Sequence, residues 1–154
     1  IAPNPAALYA SPLSRARDTA SHIGNSLDIS VSEQAQLAEW HVGDWEGMKY
    51  GDFSTLEDFS IESLKTPEFR PPNGESLGEV TTRVVQCLQE IGNRHSGEHV
   101  VIVSHGTALA LAITEFLNYP LGNWMEYRLE NCSITELHLG PQNQLISVNQ
   151  VNHL

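Results

Sequence analysis

Three short stretches of the 154-residue chain carry side chains whose types and spacing suit joint chemistry. The first reads "VVIVSHGTALALAI" from Val100 to Ile113. A β-branched run ends in Ser104-His105-Gly106, and an alanine- and leucine-rich run follows. His105 therefore falls at the seam between a buried strand and a helix, and in open α/β sheets ligands bind at that edge. The amides of Gly106 and Thr107 open the helix, and a helix N-terminus favours an anion. Gly106 also lets the backbone approach a ligand closely. Alone, His105 reads equally well as a hydrogen-bonded turn residue.

The second stretch, "SPLSRARDTA" (Ser11–Ala20), puts Arg15 in the first turn of a helix that follows another strand. Its planar guanidinium suits phosphate oxygens and would lie over the same sheet edge as His105. The competing reading is a solvated arginine paired with Asp18 three residues on. Arg17 reads as a surface residue. The third stretch, "LAEWHVGDWEG" (Leu37–Gly47), holds Glu39, Asp44 and Glu46 on a structured loop. A carboxylate beside a bulky residue such as Trp40 is desolvated, which raises its pKa and equips it as a proton donor. Asp44 reads as solvated, and His41 as a loop residue near the cleft.

Two other chemistries fail on spacing. A serine nucleophile elbow requires G-x-S-x-G, and Ser104 lacks the first glycine and stands one place early. "HSGEH" (His95–His99) matches a zinc-peptidase pattern. That chemistry needs both histidines on one helical face, and Gly97 interrupts the helix between them.

These residues need a scaffold. Ala6–Tyr9 reads as a buried strand, and Ser14 caps a helix whose stripe is Ala16, Ala20, Ile23 and Leu27. Ile29 and Val31 form a short extended segment. Lys49–Pro72 is an excursion with one or two short helices, in which Phe53, Phe59 and Phe69 line a lid or make a small satellite core. A long helix starts at Ser76 or Gly78 and runs through His95, burying Leu77, Val80, Val84, Cys87, Leu88 and Ile91, and Gly97 ends it. Val100–Val103 is continuously apolar, the pattern of a strand covered on both faces. Thr107–Leu117 is a helix, and Ser133–Leu139 with Leu145–Val151 read as a closing hairpin or as edge strands. This alternation predicts one α/β domain over residues 1–154, around a largely parallel sheet.

Bulk properties narrow the partners. A net charge of −11 and an isoelectric point of about 4.9 argue against nucleic acid or an anionic membrane, since both need a basic face. An anionic small molecule stays open, because a few arginines can dominate a cleft. No apolar run reaches the roughly 18 residues of a membrane span. Cys87 and Cys132 read as buried free thiols, which fits a reducing, cytoplasmic compartment. The opening "IAPNPAALYASP" has no initiator methionine, basic region or apolar signal core. It points to a processed chain, or to one whose beginning lies further upstream.

Taken together, five segments in order resemble the histidine phosphatase superfamily, the phosphoglycerate-mutase-like fold. "YASPLSRARDTA" looks like its strand and S-x-L-x-R-A-x-x-T helix start. "LAEWHVGDWEG" is similar to its acid-bearing L-x-E-x-x-x-G-x-W-E-G. "PPNGES", "VIVSHG" and "NCSIT" resemble its P-x-G-E-S turn, its second-histidine motif and the strand that follows. The resemblance implies a three-layer α/β/α sandwich. It implies that Arg15 clamps a phosphoryl group, that Glu39 protonates the leaving oxygen, and that His105, with the Gly106 amide, stabilises the transferring phosphoryl. No metal or other cofactor is implied. The family's early Arg-His-Gly motif, whose histidine becomes phosphorylated, has no counterpart here, so the first strand and the nucleophile are expected to be missing from this chain. The expectation is a cytoplasmic, metal-independent phosphatase of a small phosphomonoester. A homodimer would be one way to cover the unpaired sheet edge. The alternatives are a non-catalytic phosphate-binding or scaffold relative and, behind it, a phosphoglycerate mutase. "GDWEG" looks more like the phosphatase branch.

Overall fold

The computed structural model of the protein describes residues 4–56, 59–127 and 129–154. Its strands and helices follow the apolar periodicities of the sequence. Strand β1 (Ala7–Ala10) leads into helix α1 (Ser14–Leu27), then β2 (Val31–Glu33). After the excursion come α2 (Leu77–Arg94), β3 (Val100–Val103), α3 (Gly106–Phe116), β4 (Ile134–His138) and β5 (Gln144–Gln150). β1 pairs in parallel with both β2 and β3, giving the order β2-β1-β3, and β4 pairs antiparallel with β5 in a separate ladder.

Side-chain alternation along the strands builds three layers. Leu8, Ala10, Val101 and Val103 face α1 through Ala20 and Ile23. Ala7, Tyr9, Val100 and Ile102 face the other way, into the larger core of α2 and α3. All six α2 positions expected to be buried are buried. Ser76 caps α2: its hydroxyl accepts from the Glu79 amide at 3.1 Å, while the Glu79 carboxylate accepts from the Ser76 amide at 2.8 Å. Such a reciprocal box stabilises a helix start by about 1 kcal/mol.

Several local expectations shift. Ser14 is the first helical residue of α1, and the cap position is Leu13, whose amide donates to Ser11 Oγ at 3.2 Å. Leu27 is 36% exposed, because Gly24 rather than Leu27 completes the buried stripe. Cys132 is exposed, since it stands in a turn ahead of β4 rather than in the core. β3 is apolar throughout yet only partly buried. Among the described residues nothing pairs with its far side, so its edge stays open although helices flank its faces. The carbonyls of His99 and Val103 face β1. Ladder alternation therefore turns the backbone groups of Val100 and Ile102 toward the open edge.

Phe53, Phe59 and Phe69 settle the two readings of the excursion in favour of a satellite core. They gather around Trp45, with ring centroids 5.1, 5.9 and 5.9 Å from its own, and Phe69 also meets Trp40 edge-on at 6.1 Å. The excursion carries short 3-10 turns at Tyr50–Thr55 and Ser63–Lys65.

Two loops, 41–46 and 72–75, cross in backbone contact. The Asp44 amide donates to the Pro72 carbonyl at 2.9 Å, and the Glu75 amide to the His41 carbonyl at 2.8 Å. Gly43 has φ +56°, and a Cβ there would meet the Pro72 oxygen at 2.0 Å. Gly43→Ala is therefore expected to cost about 2–4 kcal/mol through overpacking and left-handed strain, lowering Tm by roughly 5–15 °C. Gly47→Ala is the control: its φ is +83°, but a Cβ would meet nothing within 4 Å, so only about 1 kcal/mol of backbone strain is expected. Thermal melts of both variants check the contrast; equal losses would show that the loop crossing is not the constraint.

Candidate active site

Because β1, β2 and β3 run in parallel, their C-terminal ends share one sheet edge. Ser11 follows β1 directly, and Arg15 lies in the first turn of α1. Glu39 follows β2 after a 3-10 turn at Ala35–Leu37. Ser104 and His105 follow β3, and His105 is the cap position of α3. Three segments distant in sequence thus converge, as the topology of an open α/β sheet dictates.

His105 is 7% exposed. Its Nε2 lies 2.7 Å from Ser11 Oγ. Burial, with the Arg15 and Arg83 charges adding to it, depresses the imidazole pKa from 6.5 to about 4. The ring is therefore neutral at pH 7. Ser11 Oγ already accepts from the Leu13 amide at 3.2 Å, which leaves its own proton for Nε2, and in that arrangement the neutral ring carries its proton on Nδ1. Among the described residues Nδ1 has no partner, and no fully buried side-chain polar atom is left unpaired. Nδ1–H accordingly reaches solvent as a donor. His105 therefore presents a neutral imidazole rather than a positive charge at this edge.

The Ser104 hydroxyl is hydrogen-bonded to a backbone carbonyl and not to a base. It donates to the Leu37 carbonyl at 2.8 Å, tying the end of β3 to the turn after β2. His95 and His99 form no zinc pair, since α2 ends at Arg94 and Gly97 adopts φ +79°. His95 instead bonds Tyr9 Oη at 3.0 Å and Glu98 at 2.8 Å.

Glu39 is half-buried and held by three amides. Its Oε1 accepts from Trp40 at 2.9 Å and Ala108 at 3.0 Å, and its Oε2 from Thr107 at 3.3 Å. The carboxylate sits on the start of α3, where the helix dipole favours negative charge. This corrects one expectation: the Thr107 amide serves Glu39 rather than an incoming anion. Gly106 keeps its expected openness, because a Cβ there would meet only the Leu129 oxygen, at 3.7 Å.

Arg15 is exposed, and among the described residues its side chain has no acceptor. Asp18 pairs with Arg17, at 3.8 Å, instead of with Arg15. The Arg15 charge nevertheless reaches His105. The site thus holds an unpaired guanidinium, an outward imidazole N–H and an anchored carboxylate at one edge, a set suited to binding a tetrahedral anion and moving one proton.

One residue escapes the sequence reading. Arg83 on α2 grips the carboxylate of Glu75 with two hydrogen bonds of 2.8 Å. Burial pushes the Glu75 carboxyl up, but the Arg83 guanidinium and the His41 amide outweigh it and hold the group below the ordinary range. A helix arginine four residues after Glu79 looks like half of a surface pair. Glu79 in fact pairs with Arg70, at 2.6 Å.

Comparison with known proteins agrees with the motifs. Residues 2–151 match the profile of the histidine phosphatase superfamily, branch 1. The chain is 31% identical over 158 residues to a metal-independent phosphoserine phosphatase of Arabidopsis thaliana, covering 97% of this chain and 63% of that protein. It is 30% identical over 152 residues to phosphoserine phosphatase 1 of Hydrogenobacter thermophilus, covering 96% and 71%. The fold matches that of Bacillus stearothermophilus YhfR with a TM-score of 0.85 at 27% identity, over 99% of this chain and 77% of that one. The chain therefore spans less than two thirds of the length of the plant relative. Among the described residues, no helix is long and apolar enough to cross a membrane.

Proposed function

Because the chain belongs to branch 1 of the histidine phosphatase superfamily, we propose that it is a metal-independent phosphomonoesterase of a small-molecule substrate. The reaction runs through a phosphohistidine. Arg15 clamps the phosphoryl oxygens bidentately, and His105 Nδ1–H donates to one of them. Glu39 gives its proton to the leaving alkoxide as the P–O bond breaks and the N–P bond forms. Water then attacks phosphorus as the N–P bond breaks and the imidazole is released, passes its proton to Glu39, and inorganic phosphate leaves. A loose transition state calls for such positioning and charge more than for further covalent chemistry. The observation that carries this reading is the meeting of unpaired Arg15, outward-facing His105 and anchored Glu39 at one strand edge. Phosphoserine, named for both sequence relatives, is the first substrate to try.

The nucleophile belongs on the open edge of β3. A strand pairing there would take the backbone groups of Val100 and Ile102, cover a half-buried apolar strand, and end beside His105. An unpaired apolar edge of this kind otherwise invites aggregation. The chain acts as one domain that receives that strand, and the excursion phenylalanines contribute a satellite core around Trp45.

The second reading is a phosphate-binding protein without turnover. It is favoured by one observation: the unpaired Arg15 guanidinium and the His105 ring are donors that hold a tetrahedral anion without any proton transfer.

The test is turnover of phosphoserine and p-nitrophenyl phosphate by the protein purified from its natural source. Turnover is expected to be indifferent to a chelator, with acid-labile phosphate trapped on histidine. Loss of activity with the chelator, or label on serine, would sink the proposal. Phosphate binding that Arg15→Ala weakens by about tenfold or more, without turnover, would favour the second reading. An intact mass well above 17.0 kDa would mean that the pairing strand is carried by the same polypeptide.

A further inference from the structure

We propose that Arg83, locked to Glu75, is the positioning residue that holds the Glu39 carboxylate against the start of α3, and that it thereby sets which leaving groups the site can expel. The second half rests on the phosphatase reading; the first rests on geometry alone.

Glu39 lies on a segment that neither helix nor sheet supports. The 3-10 turn ends at Leu37, and the carbonyls of Gln36, Ala38 and Glu39 find no strand to accept from. Arg83 supplies the missing donors. Its Nη1 donates to Gln36 at 2.7 Å and Ala38 at 2.8 Å, and its Nη2 to Glu39 at 3.0 Å. Its remaining two N–H groups, on Nε and Nη2, go to the two oxygens of Glu75. A guanidinium has five N–H donors, and here all five have acceptors.

This count separates the two arginines of the site. Arg15 has every donor available for a phosphoryl group. Arg83 has none left, so it acts on the backbone that carries Glu39 and not on a ligand. Glu75 completes the frame from the other side. Its carboxylate accepts from the His41 amide at 3.1 Å and its carbonyl from Trp40 Nε1 at 2.9 Å. The carbonyls of Ala38 and Glu39 are therefore tied to the Arg83 side of one ion pair, and the Trp40 indole and His41 amide to its Glu75 side. From there the carboxylate reaches the Thr107 and Ala108 amides. Lysine cannot stand in, because a compact ammonium offers three donors from one point and cannot match a planar fork. The pair is also only partly exposed, Arg83 20% and Glu75 27%, so it is less screened than a surface bridge.

A misplaced proton donor affects leaving groups unequally. An alkoxide needs a proton as it leaves, whereas p-nitrophenolate departs without one. Arg83→Lys is therefore expected to lower kcat/KM for phosphoserine about 10- to 100-fold more than for p-nitrophenyl phosphate. A scaffolding role alone would lower both equally, and an unchanged ratio overturns the leaving-group half. The positional half has a readout free of turnover. In ¹⁵N-labelled protein, the Thr107 and Ala108 amide resonances should move in Arg83→Lys toward their positions in Glu39→Ala. If Glu39→Ala moves them and Arg83→Lys does not, Arg83 does not position Glu39. Should Arg83→Lys lose its dispersed spectrum, Glu75→Gln carries the same test with the side-chain volume kept. Absence of turnover with either ester in the unsubstituted protein would count against the phosphatase reading and leave the amide shifts to decide the positional half.

Discussion

Replacing His105 with asparagine is expected to lower kcat/KM about 10²- to 10³-fold for aryl and alkyl phosphates alike. That is the scale for removing one preorganised donor from a developing oxyanion. The loss should be uniform, because in the proposed mechanism the His105 hydrogen bond goes to the transferring phosphoryl, which every substrate shares. The same variant has a second signature in the absence of substrate. The folded-state pKa of His105, about 4, lies below its ordinary 6.5. Between those values the unfolded chain takes up a proton that the native protein refuses. Native stability is therefore fully present above about pH 6.5 and falls as the pH drops toward 4. Asparagine cannot titrate, so His105→Asn should flatten that part of the profile. Urea midpoints at pH 7 and 4.5 check this, and an unchanged slope would place the acid sensitivity elsewhere. A bound phosphate dianion opposes the two arginine charges, so it should raise the His105 pKa, and a histidine NMR titration with and without phosphate reads the shift directly.

Glu39→Gln should produce a different pattern. Glutamine keeps the shape and one oxygen for the Trp40 and Ala108 amides, while its NH2 replaces the oxygen that the Thr107 amide meets at 3.3 Å, and it neither gives nor takes a proton. Hydrolysis of an alkyl phosphate is expected to fall about 10²- to 10⁴-fold, the usual contribution of a positioned general acid–base. With p-nitrophenyl phosphate, the first release needs no proton and stays fast. Breakdown of the phosphohistidine still needs a base for the attacking water. The expected trace is a burst of one p-nitrophenolate per site followed by slow turnover. A uniform slow rate without a burst would remove Glu39 from the second step, and unchanged alkyl hydrolysis would remove it from the first. Together with His105→Asn, this separates charge stabilisation from proton transfer.

The legible part of the site lies where local pattern carries the signal. His105 announces itself by standing where a β-branched run gives way to alanine and leucine, and the structure places it at the cap of α3. Arg15 and Glu39 were legible as residue types in strand–helix and loop settings, and parallel strand order then brings them to one edge. The finer statements failed where they depended on what lies opposite. Ser14 suggested a cap, but Leu13 holds that position while the Ser11 hydroxyl meets both its amide and the His105 ring. The Thr107 amide suggested a phosphate ligand, but a carboxylate 68 residues away takes it. The excursion phenylalanines left lid and satellite core equally open, because composition does not say which ring meets Trp45.

The sequence by itself determined the elements, the α/β class, the three chemical stretches and the kinship. These follow from periodicity and short motifs, which are set within a few residues. Only the tertiary structure decided which donors were already committed. Arg83 is the clearest case. Its spacing to Glu79 suggests a surface pair, yet its five N–H groups close on Glu75 and three carbonyls between 44 and 47 residues away. Hydrogen-bond commitment is a property of which backbone groups lack a partner once the chain has folded, and that depends on where distant loops cross. So it was the fold that distinguished Arg15, whose donors are uncommitted, from Arg83, whose five are all taken.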